Sequence, residues 1–321
     1  MKMRNWDVIG KSKIYFIISG ALMALILLIT LIFGPELSIQ FKGGTIINYS
    51  YTGDVIDSDE AEALVEKALG EDVTIQSSQG VTGQTTTLTV SLVDAKAVTA
   101  EKVAALTKAL TEAYPDQNME QGKSNTVGAS MGTEFLLKCL AALLVASLMI
   151  ILYIGLRFKK IGGWSAGAMA IVGLLHDVII MYGVYLIFRF PINDVFMAAL
   201  LTILGYSIND TIVVYDRIRE NKTLYGNQLT TRELVNKSIN QSLGRTVFTT
   251  ATTLAAMVVV AIVSLIAGID TIFQFSFAIS IGMISGVYST IGLAGPLWVL
   301  WLEYREKHGK APKAKKKSKK K

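Results

Sequence analysis

Asp210, His176 and Asp177 are ionisable residues that lie inside stretches otherwise apolar enough to exclude water. A carboxylate at the centre of a membrane-spanning helix costs about 2.5–3.5 kcal/mol on insertion scales, so such a residue marks a pathway, a partner or a misassigned span. Asp210 stands roughly five residues, or 8 Å, inside the end of its apolar stretch, too deep to be a loop residue. Asn209 precedes it, and Tyr206 and Thr202 stand one and two turns earlier. Together they make a polar stripe that should face other helices rather than lipid. Arg245 precedes the next apolar stretch at a comparable depth and is the candidate counter-charge, with Thr249, Thr252 and Thr253 continuing a hydroxyl stripe beyond it. Hydroxyls at that spacing can carry water or bond across helices. A carboxylate that exchanges a proton while pairing with a fixed cation works as a switch: protonation releases the Arg and deprotonation recaptures it. A static Asp–Arg tie between two helices explains the same residues, and side-chain chemistry alone leaves both readings open. For His176 and Asp177, hydrogen bonds to neighbouring helices are the simpler reading, and a second titratable relay is the alternative. Asp194 and Asp216 sit at span ends, near water, and receive no role in transport.

These residues need helices to hold them, and the composition supplies them. Hydrophobic residues make up 51% of the 321 positions and charged residues 17%, which suits neither an ordinary soluble domain nor a disordered chain. Crossing a hydrocarbon core takes about 20 helical residues. Six stretches are long enough: 14–33, 135–156, 162–188, 195–215, 246–269 and 271–302. The first is read as an uncleaved anchor, because its apolar core is longer than that of a signal peptide and no small-residue cleavage site follows. Lys and Arg cluster in 1–13, just after the second span, in 216–245 and in 303–321. All four groups fall on one side of a six-span path, which predicts cytoplasmic termini, a cytoplasmic 216–245 loop and a basic cytoplasmic tail. The tail ends in a nearly all-lysine run, 313–321, read as a disordered arm drawn to anionic membrane lipids or ribosomal RNA. Small residues at four-residue steps, Ala278, Gly282 and Gly286 as well as Gly163 and Gly167, are the spacing of close helix packing.

Between the first two spans lies a region read as one external domain, 41–130. Its 46–130 portion carries thirteen Asp or Glu against five Lys. Alternation and β-branched content predict strands over 45–51, 73–77, 86–92 and 118–127. Helical spacing predicts helices over 59–69 and 99–114, with Thr99 as N-cap. The order βαββαβ is the ferredoxin-like split pattern. The fold class is therefore a polytopic α-helical membrane protein of six spans with one external α+β domain. The entry to that domain, FKGGT at 41–45, sets Phe41 beside Gly43 and Gly44, two glycines that permit a tight bend from membrane into strand. The single cysteine, Cys139, rules out an internal disulfide and a thiolate cluster and is read as an apolar filler. With no nucleophile constellation, metal cluster or phosphate loop, no enzyme activity, metal or cofactor is expected.

The run GYSINDTIVVYDRIREN at 205–221, the FKGGT hinge, the Thr-rich start of the fifth span after Gly244 and Arg245, and the His176–Asp177 pair resemble the SecF branch of the SecD/SecF family. The resemblance covers nearly the whole chain except the lysine tail. It implies a subunit of the bacterial inner membrane that pairs with SecD, in a complex resembling proton-driven exporters of the resistance-nodulation-division type. It implies that proton flow drives the external domains to complete preprotein export through the SecYEG channel after SecA has acted, with YajC and YidC as further partners. By motif position, the family's intramembrane Asp falls on Asp210 and its Arg on Arg245. Gln40 and Gly244 depart from the family pattern, where an Asp often precedes the hinge and a His often precedes the Arg. Half of a proton-driven exporter of lipids or small molecules, or a passive assembly scaffold, are the competing readings.

Overall fold

A computed structural model describes residues 6–53, 56–70, 73–79, 86–92, 99–127, 129–226 and 228–308. The lysine run 313–321, and Lys2 and Arg4 of the N-terminal basic group, lie outside the described residues. The described residues are mostly helical, with six helices long and apolar enough to cross a membrane and one small antiparallel sheet among them.

Helix α1 spans Ser12–Phe33. A short turn, α2 (Ile39–Lys42), is capped by the Ser38 hydroxyl and leads into β1 (Gly44–Tyr51). Helix α3 (Ser58–Leu69), β2 (Val73–Gln79), β3 (Thr86–Leu92), α4 (Ala100–Ala113) and β4 (Glu120–Val127) follow. The strands order as β2-β3-β1-β4, with every neighbour antiparallel. Alternation puts Ile47, Tyr49 and Tyr51 of β1 and Leu88, Val90 and Leu92 of β3 into one buried cluster with Leu106 and Leu110 of α4 and Ala61 and Val65 of α3. Tyr49 exchanges a hydrogen bond with Thr107 at 2.9 Å, and its hydroxyl is pushed up by burial.

The hinge is a site of close backbone approach. Gly43 (φ +82) ends α2, and Gly44 (φ +141) has a backbone on which a Cβ would collide with the Leu92 carbonyl oxygen. Phe41 stacks on Phe135 at 5.6 Å, and Gly132 lets the next helix lie against the Phe41 carbonyl.

That helix, α5 (Ala129–Arg157), is followed by a 3₁₀ turn at Lys159–Ile161 and by α6 (Gly163–Ile187). Helices α7 (Asp194–Tyr225) and α8 (Thr231–Ile266) run well past the expected span ends. Much of the segment read as a loop, 216–245, is thus a helical hairpin. Two things cause the difference: Arg217–Glu220 and Arg219–Asp216 ion pairs continue α7, and a Thr230/Glu233 capping box starts α8 early. The last span, expected to be one helix over 271–302, is α9 (Asp270–Ser289), a π turn at Thr290–Ala294 and α10 (Gly295–His308). Spans α6, α7 and α9–α10 are 56–67% buried and form the bundle centre, whereas α1, α5 and α8 are 11–17% buried and form its periphery.

Candidate functional site

Two groups of buried polar residues lie on the two sides of α7. On one side Asp210 is 3% exposed and its Oδ2 accepts a hydrogen bond from the Thr250 hydroxyl of α8 at 3.3 Å. The Tyr206 hydroxyl, one turn earlier on α7, donates to Thr250 Oγ1 at 3.4 Å. One turn before Thr250, Thr246 is buried with its Oγ1 unpartnered. Tyr206, Thr250, Asp210 and Thr246 thus line one polar seam between α7 and α8.

Arg245 and Thr249, expected in this seam, lie outside it. Both are exposed, as is Asn209. Arg245 makes no hydrogen bond or ion pair with Asp210 and acts on it only through space. Thr249 donates to the Arg245 carbonyl of its own helix, and Thr252 and Thr253 donate to that of Thr249. The reason is helical phase: successive side chains turn by about 100°, so the row 246, 250 faces α7 while the row 245, 249, 252 is swung away. In this structure Thr246 and Thr250, rather than Arg245 and Thr249, are the α8 residues buried against α7.

On the other side of α7 is Asp177 of α6, fully buried. Its Oδ1 accepts from Ser285 at 2.6 Å, and its Oδ2 accepts from Ser207 and Ser289, each at 2.7 Å. Three hydroxyls from two other helices therefore meet one carboxylate. His176 Nδ1 lies 3.3 Å from Asp177 Oδ1, its ring is 5.7 Å from that of Tyr288, and its Nε2 is buried without a partner. Just beyond, the Thr211 and Thr290 hydroxyls share a 2.9 Å bond at the start of the π turn. Glycines make this possible: a Cβ on Gly286 would sit 3.2 Å from Ser207 Cβ, and one on Gly282 would strike Ile203 at 2.7 Å. Small residues on α9 let α7 come close enough for Ser207 to reach Asp177. Ser207, Ser285, Ser289 and Thr250 were missed from sequence. The one available signal was that Ser207 sits inside the GYSIND run.

Of the hinge residues, Phe41 is buried in the apolar cluster that also holds Ile203 and Met283, and none of the three hydrogen-bonds Asp210 or Asp177. They join the sheet to α5, and Gln40 Oε1 accepts from the Asp194 backbone N–H at the start of α7.

Residues 105–304 match the family described as "Protein export membrane protein SecD/SecF, C-terminal". A protein translocase subunit SecF from Calditerrivibrio nitroreducens is 34% identical over 305 residues, which cover 94% of this chain and 96% of that protein. A protein translocase subunit SecDF from Bacillus subtilis is 30% identical over 93% of this chain and 38% of its own length. A crystal structure of SecDF, a translocon-associated membrane protein from Thermus thermophilus, superposes with a TM-score of 0.78 at 31% identity, over 93% of this chain. The chain spans 39% of that solved chain.

Proposed function

This chain belongs to the SecD/SecF family of protein-export membrane proteins, and on that premise we propose that it uses the proton motive force, with a SecD partner, to complete preprotein export through SecYEG. In this reading it is a transport subunit and not an enzyme. It sits in the bacterial cell membrane with both termini cytoplasmic, and the external βαββαβ sheet is a ferredoxin-like domain that moves as protons pass. SecA acts before it, and YajC and YidC are accessory partners.

The observation that carries this is the Asp210 seam. A carboxylate buried inside a spanning helix, held by a single Thr250 hydroxyl rather than by an ion pair, is open to exchange a proton. Arg245 starts about five residues, or roughly 8 Å, from the level of Thr250. A side chain that long can swing to Asp210 when it is ionised and away when it is not. Arg245, Asn209 and Thr249 also leave polar groups on an open face of α7 and α8. Lipid is a poor cover for such a face and a second helical bundle a good one. The fused SecDF relatives, which extend well beyond the part matched here, support SecD as that bundle.

Asp210→Asn tests the reading. Translocation that depends on the proton gradient after SecA has acted should fall to the level seen without the protein, while assembly with SecD persists. Full activity in that variant would remove the motor and leave a scaffold.

A further inference from the structure

The turn that joins α5 to α6 builds a basic pocket where two helices leave the membrane. We propose that this pocket binds the phosphate headgroup of an anionic glycerophospholipid, with acyl chains lying along Leu156 and Leu224. The pocket has a volume of about 650 Å³ and is lined by Arg157, Lys159, Lys160 and Arg219 together with Glu220. Its floor is built in advance. Phe158 is fully buried, and the guanidinium groups of Arg157 and Arg219 lie over its ring at 5.7 and 5.9 Å. Asp216 sits between the same two arginines, 3.6 Å from Arg157 and 2.6 Å from Arg219, and sets their spacing. Lys222 donates to the Lys160 carbonyl and pins the turn from the other side.

Charge then selects the ligand. Glu220 is engaged by Arg217, and Asp216 is shared by the two arginines. Lys159 and Lys160 are exposed and have no acidic partner among the described residues, and Asp216 offsets only one of the two arginine charges, so three positive charges are left over. A fixed arginine pair beside two free lysines suits a phosphate, which accepts several charge-assisted hydrogen bonds at once. A lipid fits better than a free anion because Leu156 and Leu224, 50% and 64% exposed, form the rim. A second groove, lined by Trp164 and Trp301, shares Lys159 and continues the apolar path. Tryptophan at that level is where headgroup meets hydrocarbon. The inference needs only that α5 and α7 emerge from the membrane here and does not depend on proton coupling.

The test is native mass spectrometry of the full-length protein released from nanodiscs of phosphatidylglycerol mixed with phosphatidylcholine. The wild type should retain phosphatidylglycerol selectively, and inorganic phosphate at millimolar levels should not displace it. Each lysine near an anionic surface contributes on the order of a fivefold change in affinity, so K159Q/K160Q should bind about 25-fold more weakly. K159R/K160R should bind like the wild type, and Lys138→Gln, near the opposite end of α5 where Lys138 pairs with Glu134, should change little. Equal retention of the two lipids, unchanged binding in K159Q/K160Q, or displacement by inorganic phosphate would each overturn the assignment.

Discussion

A single α-helical residue is the unit at which the two polar clusters differ. Thr250 touches Asp210, whereas Thr249 bonds its own helix. On the proposed function, Thr250→Val should therefore slow gradient-dependent translocation more than Thr249→Val does. A vesicle translocation assay run with and without a gradient reads the difference, and equal effects would show that the seam is not the proton path. Asp177 is a contrast, because its three serine donors leave little capacity unused. It serves first as a tie among α6, α7 and α9. Hydrogen bonds between membrane helices average about 0.6 kcal/mol and reach roughly 1.7. Ser289→Ala should cost a loss in that range, measured by reversible unfolding in bicelles, and no measurable loss would mean the tie is not energetically significant.

Elements meet through positions where no side chain fits. Gly44 carries φ +141 and faces the Leu92 carbonyl, so β1 can pair with β3 directly after the hinge only because that residue has no Cβ. Gly44→Ala should destabilise the sheet and its two helices by more than about 1 kcal/mol, the level at which incompatible backbone substitutions act. Limited proteolysis of the purified protein is the readout, and unchanged protection would remove the steric argument. The same logic explains α9, where Gly282 and Gly286 admit Ile203 and Ser207 of α7. The π turn at Thr290–Ala294 follows directly, and its first residue bonds Thr211 of α7. Such turns relax the regular ladder and are frequent beside functional groups.

For the whole molecule, burial is uneven in a way that points outward. The span of α8 is 17% buried, although it carries the residues nearest Asp210, and Arg245, Thr249 and Asn209 lie on its open side or on the adjoining edge of α7. If a SecD partner covers this face, a cysteine placed there should cross-link to it. The chain has one cysteine, Cys139, so the background is Cys139→Ala. Asn209→Cys in that background, paired with single cysteines introduced along the spans of co-expressed SecD and treated with a mild oxidant, should give a disulfide, while Leu31→Cys on the outward side of α1 should not. The reverse pattern would place the partner on another face.

Six apolar helices and a small antiparallel sheet were legible from local pattern, because span length and strand alternation are properties of consecutive residues. So was the family, since the GYSINDTIVVYDRIREN run is contiguous. Tertiary structure alone decided which row of α8 faces α7, because a helix may rotate about its axis without changing its hydropathy. It alone gathered Ser207, Ser285 and Ser289 around Asp177, since residues from three helices share no spacing until packing brings them together. The sequence by itself determined that a carboxylate would be buried in the membrane; packing decided that its neighbour is a threonine hydroxyl and not a guanidinium.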